Sequence, residues 1–353
     1  MWVRRLRIRH FRNIADAEVN FGRGVNVWVG DNGHGKTSAL QALQVLAEHR
    51  YPSGIGDSDV VQWGASWMEL RATLATVDDT EVVSRYAVQL GEHRRRLREG
   101  PTLPVVWFGP ADLSTVQGGP VQRRDLLSQL AGALYPRYFP LLRKFERALT
   151  QKNHGLKERW PLATLETFNE ILAETGATVW QFRKTAFDRW LPHIYALHSK
   201  LSATSSLSIR FQQGGMAGDL VLGPDAVRHR MQARFAEERQ RMLSLVGPHR
   251  DDLVVELDEH SARTYASQGQ QRTIALAMKL ATYHVYEEFF QVPPLVLLDD
   301  VFSELDGQRR ALLLEYMARH DQQTVITDTE PRHLGSCQPT FYRVQQGAFH
   351  PWP

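Results

Sequence analysis

The sequence predicts an α/β fold built from both ends of the chain, with a mainly helical lobe inserted between them. Three observations predict it. Period-two strands surround a glycine-rich loop in the first hundred or so residues. Helical spacing takes over near residue 116. Buried strands alternating with helices return near residue 246. The expected organisation is an α/β domain from 1–115 and 246–353, split by a helical lobe over 116–245.

The first segment opens on VRRLRIRHF, where Val3, Leu6 and Ile8 alternate with arginines as in a half-buried strand. AEVNF and VNVWV follow, separated by the turn Gly22-Arg23-Gly24. Ala39, Leu40, Leu43, Leu46 and Ala47 then share one helical face. WMELRATLAT and EVVSRYAVQL read as strands joined at Asp78-Asp79, and HRRRLREG as a basic hairpin tip or loop.

In the insertion, Leu126, Leu127, Leu130 and Leu134 form one helical face, which Tyr135-Pro136 ends. Tyr138, Leu141, Leu142, Phe145 and Leu149 make the next. Leu165, Phe168, Leu172, Val179 and Phe182 carry a third toward Trp190. A short strand LSIRF, a loop QQGGMAG and an Arg-rich helix over 226–245 close the lobe. Beyond 246, LVVEL, PLVLL and TVITD read as strands, and TIALAMKLATYHVY and RRALLLEYMARH as helices.

Composition sets broad limits. Hydrophobic residues are 42% and charged residues 23%, which excludes disorder and low-complexity scaffolds for most of the chain. No apolar run approaches the roughly 18–20 residues of a membrane span. The basic start MWVRRLRIRHFRN is not followed by the apolar stretch of a signal peptide. A lone cysteine, Cys337, forbids an intrachain disulfide and any cysteine-cluster metal site. A reducing, cytoplasmic setting is the expectation. The net charge of +3 permits an anionic partner without demanding one.

The motifs are more specific. Gly30-Asp31-Asn32-Gly33-His34-Gly35-Lys36-Thr37 matches G-x-x-x-x-G-K-[ST], follows an apolar strand and opens an amphipathic helix that continues through Ser38. Glycines let backbone N–H groups turn around phosphate oxygens, and the helix N-terminus adds its positive end. Lys36 is expected at the β- and γ-phosphates of ATP, and the Thr37 hydroxyl on Mg²⁺. PLVLLDD places Asp299 and Asp300 at the end of a buried strand, where Asp299 would hold Mg²⁺ and Asp300 would polarise the attacking water. The long gap between Lys36 and Asp299 excludes small GTPases and simple kinases. Among the histidines no metal-ligand spacing such as H-x-x-x-H occurs, so a metal-dependent nuclease is poorly supported.

SQGQQ begins at Ser267, 32 residues before Asp299, and precedes a long helix. It resembles the signature motif of ABC-type ATPases, in which Ser and Gly at a helix N-terminus bind a γ-phosphate; here the candidates are Ser267, Gly269 and Gln270. Ser303 to Asp306 stands where that superfamily has its D-loop.

With this order of motifs the chain resembles one family, the RecF recombination mediators, relatives of SMC-protein heads. LRIRHFRNI is similar to the family's opening strand, and GGPVQRRDLL to its G-x-P-x-x-R-R segment. VGPHRDDL and LLDDVFSELDGQRRALL are similar to two further family segments. The resemblance covers residues 1–330. It implies an ABC-type, SMC-head-like P-loop ATPase with a helical second lobe, which dimerises on ATP and binds single- and double-stranded DNA at gaps. It also implies action in DNA repair, replication and the SOS response with RecO and RecR in loading RecA, and slow ATP hydrolysis that resets the protein. ABC transporters carry Glu where this chain has Asp300, and a switch histidine where ITDTEP offers only Asp328 or Thr329. These differences favour an ATP-gated clamp over a fast motor, and the absence of long heptad arms argues against a purely structural SMC-like head.

Three basic clusters are candidates for DNA phosphates: Arg94, Arg95, Arg96 and Arg98; Arg183-Lys184; and Arg228, Arg230, Arg234, Arg239 and Arg241. A solvated charged face is the commoner use of such runs.

Overall fold

The computed structural model describes residues 1–352 apart from 52–54, 77, 114, 203, 215–222, 303–304, 319–321, 332–333 and 335–337. Cys337, most of the QQGGMAG loop, and Ser303 and Glu304 of the D-loop segment lie outside the described residues.

The chain packs as two units, Met1–Leu113 with Thr282–Pro353, and Ser114–Ala281. The second boundary therefore falls inside a helix, not at residue 246.

In chain order the first unit opens with β1 (Trp2–Phe11), β2 (Ile14–Asn20), β3 (Val25–Val29), α1 (Lys36–Glu48) and α2 (Asp57–Val60). It continues with β4 (Trp67–Ala75), β5 (Glu81–Gln89), β6 (Arg95–Glu99), β7 (Val105–Phe108) and α3 (Pro110–Leu113). The basic stretch read as a hairpin tip or loop is in fact mostly strand β6, which pairs with β5 through Arg85↔Glu99 to Gln89↔Arg95. Its alternation is masked in sequence because both faces carry arginines.

The second unit holds α4 (Pro120–Leu134), α5 (Tyr138–Lys157), α6 (Leu162–Leu201), β8 (Leu207–Gln212) and α7 (Pro224–Arg241). After a 3₁₀ turn at Pro248–Arg250 come β9 (Asp252–Leu257), β10 (His260–Ser261), α8 (Ala262–Tyr265) and α9 (Gln268–Phe290). Helix α9 runs on into the first unit, which β11 (Leu295–Asp299), α10 (Gly307–Met317), β12 (Thr324–Asp328), β13 (Thr340–Gln345) and β14 (Ala348–Trp352) complete. Among the described residues no helix is long and apolar enough to cross a membrane.

The first unit is built on two sheets. One is antiparallel, in the order β2-β1-β4-β5-β6; the other runs β14-β13-β3-β12-β11-β7. Strands β3, β11 and β12 are buried at every residue and pair in parallel, as continuous apolar runs do when both sheet faces are covered. Helix α1 is buried nearly all round and packs against strands of both sheets. The core joins Leu6, Ile8 and Leu70 of the antiparallel sheet to Leu40 and Leu43 of α1 and Leu297 and Val325 of the parallel one. The two chain ends are stitched by buried Gln323, whose amide accepts from Val3 N and donates to Val3 O, both at 2.8 Å.

In the second unit, α6 spans 40 residues and buries Trp180 and Trp190 completely. Trp190 Nε1 donates to Met278 O at 2.9 Å, which fastens the middle of α9 to α6. Asp251 is fully enclosed and accepts from Trp180 Nε1 at 2.8 Å, Gly214 N at 2.7 Å and Arg183 Nη1 at 2.6 Å. Arg123 grips Asp252 through Nε and Nη2 at 2.8 and 3.0 Å. These buried polar bonds place 246–281 with the helices. Strand patterning alone suggested the opposite side, because β9 reads like any α/β strand.

Candidate nucleotide site

The site stands at the carboxyl ends of three adjacent parallel strands, β3, β12 and β11, where open α/β sheets hold ligands. The loop Gly30–Gly35 leaves β3, and α1 begins at Lys36. Gly30 tolerates no side chain, because a Cβ there would lie 2.3 Å from Val344 O of β13. Gly33 and Gly35 adopt φ of 82° and 99°, in the left-handed region that favours glycine. No side chain caps α1, so its first N–H groups are left for a ligand.

Several contacts brace the loop. Asn13 Nδ2 donates to Gly33 O at 3.0 Å, Gly347 N to His34 O at 2.9 Å, and Gly30 N to Asp328 O at 3.3 Å. Sequence reasoning missed Asn13 and the C-terminal hairpin β13–β14, since neither carries a motif. Their role follows only from tertiary pairing.

Lys36 is buried, and its ammonium donates to Gly30 O at 2.6 Å and Asp31 O at 2.9 Å. Burial lowers its pKa below the ordinary lysine value, opposed by Asp300, Asp299, Asp31 and Asp328. Thr37 Oγ1 donates to Asp299 Oδ1 at 2.9 Å. Asp300 takes a left-handed φ of 49°, and its N–H donates to Thr327 O at 3.2 Å. Lys36, Thr37, Ser38, Asn32, Asp299 and Asp300 all border one cavity of about 260 Å³. Lys36 and Asp299, far apart in the chain, thus border the same cavity.

Of the two positional candidates after β12, Thr329 lines this cavity. The Asp328 carboxylate accepts from Thr329 N at 2.7 Å and Glu330 N at 3.3 Å, so it caps its own turn while also acting electrostatically on Lys36.

Ser267, Gly269 and Gln270 lie in the second unit at the start of α9. Ser267 N donates to Gln270 Oε1 at 2.8 Å, and Gln270 N to Ser267 Oγ at 3.2 Å, a reciprocal cap. Ser267 is exposed. Asp306, the last residue of the D-loop segment, caps α10 by accepting from Arg309 N at 3.0 Å.

The basic clusters are largely consumed within the protein. Arg94 and Arg96 both pair with buried Asp57, at 3.3 and 3.0 Å, and Arg98 lies over the Tyr86 ring. Arg183 is buried against Asp251, so the Arg183-Lys184 cluster is no surface patch. Arg228 pairs with Glu170 at 2.8 Å, and Arg234 and Arg241 share Glu237 at 2.6 and 2.9 Å. The register reveals a different row. Arg7, Arg71 and Arg85 sit directly opposite one another on β1, β4 and β5. Sequence alone hides this row because each arginine comes from a separate strand.

Comparison with known proteins now decides the family. The chain is similar to the DNA replication and repair protein RecF of Heliobacterium modesticaldum, 35% identical over 98% of this chain and 98% of that protein. The chain belongs to the RecF family. Its similarity to RecF of Symbiobacterium thermophilum is also 35%, over 95% of this chain and 93% of that protein. An AAA domain family matches residues 5–71. The fold resembles a solved RecF-ATPrS structure of the recombination mediator protein RecF in the RecFOR pathway, with TM-score 0.90 and 24% identity over 100% of this chain and 98% of that one. An SMC head bound to the C-winged helix domain of ScpA matches with TM-score 0.54 and 14% identity, over 100% and 98% of the two chains. The RecF-family chain thus has the fold seen in RecF and, more distantly, in SMC heads.

Proposed function

We propose that this RecF-family chain is an ATP-gated DNA-binding protein of recombinational repair. Two copies close on ATP, engage single- and double-stranded DNA at gaps, and act with RecO and RecR in loading RecA. Slow hydrolysis resets the cycle. The observation that carries this reading is the convergence of Lys36, Thr37, Asp299 and Asp300 on one cavity beneath an uncapped helix N-terminus. The similarity to a RecF of the RecFOR pathway and to DNA replication and repair proteins supports the partners and the DNA ligand.

Each residue has a role in this reading. The Gly30–Gly35 amides and Lys36 hold the β- and γ-phosphates. Mg²⁺ fits the hydroxyl of Thr37 and the carboxylate of Asp299, which already converge through one hydrogen bond and offer the hard oxygen donors this ion takes. The ion neutralises phosphate charge when bound. Asp300 orients and polarises the attacking water. Ser267, Gly269 and Gln270 complete the site of a partner copy. The exposed position of Ser267 supports this, as does its placement in a different unit from the P-loop. Asp300 in place of Glu and Asp328 turned onto its own backbone support slow turnover over a motor.

For DNA, the antiparallel sheet offers Arg7, Arg71 and Arg85 side by side, a basic row that suits a phosphate backbone once Arg7 releases Asp16, now at 3.3 Å, and Arg85 releases Glu69, now at 2.5 Å. The test is fluorescence anisotropy of a labelled gapped duplex with the chain in ATP, ADP or no nucleotide. Tighter binding in ATP is expected. Equal affinity in all three conditions would refute ATP gating.

A further inference from the structure

Strand β12 lies between β3, which leads into the phosphate loop, and β11, which ends at Asp299. A side chain near its end is therefore within reach of both. Thr327 occupies that place and is completely buried. Its hydroxyl donates to Asp299 Oδ1 at 2.7 Å and accepts from the Asp300 N–H at 3.2 Å. A hydroxyl has one hydrogen and two lone pairs, so both bonds can form together. Asp299 Oδ1 also takes the Thr37 hydroxyl at 2.9 Å, so one carboxylate oxygen receives two hydroxyl donors, one from the loop–helix side and one from β12. The neighbouring Asp300 is held at φ 49°, in the left-handed region that side-chain-bearing residues seldom adopt. Its N–H donates to Thr327 twice, to the backbone carbonyl and to the side-chain hydroxyl, both at 3.2 Å.

We propose that Thr327 is a positioning residue for the nucleotide chemistry, acting on both acidic residues at once. It sets the rotamer of Asp299, and hence the direction in which that carboxylate meets a divalent cation. It also restrains the backbone of Asp300, and hence the direction of the Asp300 side chain. The inference rests on the ATP reading above and names a residue that no motif in the chain identifies.

Two substitutions separate this role from packing. Thr327→Val keeps the shape and removes both hydrogen bonds. Thr327→Ser keeps the hydroxyl and removes a methyl group. If Thr327 only fills space, Val resembles the parent and Ser is worse. If Thr327 positions the carboxylates, the order reverses.

The experiment titrates Mg²⁺ against binding of a fluorescent ATP analogue and follows single-turnover hydrolysis, for the parent, both variants and Lys36→Ala. Outer-shell partners of metal ligands typically contribute about 10–100-fold, so Thr327→Val should need at least roughly tenfold more Mg²⁺ for half-maximal binding. Its hydrolysis should slow, while its Mg²⁺-independent affinity for the nucleotide stays at the parent value. Thr327→Ser should restore most of both. A Val variant with the parent's Mg²⁺ dependence, or a Ser variant as impaired as Val, overturns the proposal. If Lys36→Ala binds the nucleotide as well as the parent does, the ATP reading itself fails, and the role of Thr327 falls with it.

Discussion

Replacing Lys36 with Ala removes the cation around which the phosphate loop is arranged. In the structure its ammonium spans Gly30 O at 2.6 Å and Asp31 O at 2.9 Å, on the inner side of the loop. Four carboxylates act on it, those of Asp300, Asp299, Asp31 and Asp328. Its loss therefore does two things to a bound triphosphate. It deletes a charge-assisted hydrogen bond, worth about 1.5–3 kcal/mol. It also leaves the cavity with a surplus of negative charge facing an anionic ligand. The first effect alone corresponds to roughly ten- to a hundredfold weaker binding, and the second pushes the outcome toward the upper end. Thr37 and Asp299 keep their mutual bond, so the defect should lie in phosphate affinity and not in folding. Isothermal titration with Mg-ATP reads the affinity, and a thermal melt checks the fold. A folded Lys36→Ala variant that binds Mg-ATP within about twofold of the parent would refute the P-loop reasoning, since a single lost charged contact exceeds that.

Three further outcomes follow from the same structure. Asp300→Asn should bind ATP normally and slow hydrolysis about a hundredfold or more, the usual worth of a positioned proton acceptor; phosphate release at the parent rate would contradict its role. Lys152 and Glu238 form a fully buried pair at 2.6 Å, and Glu238 also accepts from Leu245 N at 2.7 Å. Lys152→Met alone should cost about 3–5 kcal/mol by stranding the carboxylate, whereas adding Glu238→Leu should recover most of it; denaturant midpoints that rank the double variant below the single one would oppose this. His249 is pushed down to about 4, chiefly by burial, with hydrogen bonding to Ser244 acting the other way. Between its ordinary value of 6.5 and about 4, the unfolded chain takes up a proton there that the folded chain refuses, so stability should fall as pH drops through that window and level off below it. The loss is at most about 3 kcal/mol, and His249→Gln should flatten this part of the urea-midpoint profile.

The legible parts of the molecule were those whose chemistry is local. The phosphate loop needs consecutive residues from Gly30 to Thr37, and a buried strand must end where its carboxylates begin, so both can be read without a fold. The helical faces of α4, α5 and α6 show for the same reason. Other features depend on pairing between distant segments. Thr327 touches Asp299 only because β12 runs beside β11, and Asn13 reaches Gly33 only because the turn between β1 and β2 comes up beside the loop. The Arg7–Arg71–Arg85 row exists only in the register of three strands. Charge runs misled for a related reason. Sequence displays cations but not the buried acids that absorb them, as Asp57 does for Arg94 and Arg96 and Asp251 does for Arg183. The second unit boundary was hidden likewise, because α9 is one unbroken helix shared by both units.

The central claim is that ATP, and not ADP, brings two copies together through the exposed start of α9. In the proposed reading, a γ-phosphate contact made by a partner's Ser267 and Gly269 would supply the differential affinity that such a switch requires. Light scattering coupled to size exclusion tests it directly, on the parent and on Ser267→Arg, without nucleotide, in ADP and in ATP. The account predicts a dimer for the parent in ATP alone, and a monomer for Ser267→Arg in all three conditions even though that variant still binds ATP through Lys36 and Thr37. A parent with the same mass in every condition, or a Ser267→Arg variant that dimerises in ATP as fully as the parent, would contradict it.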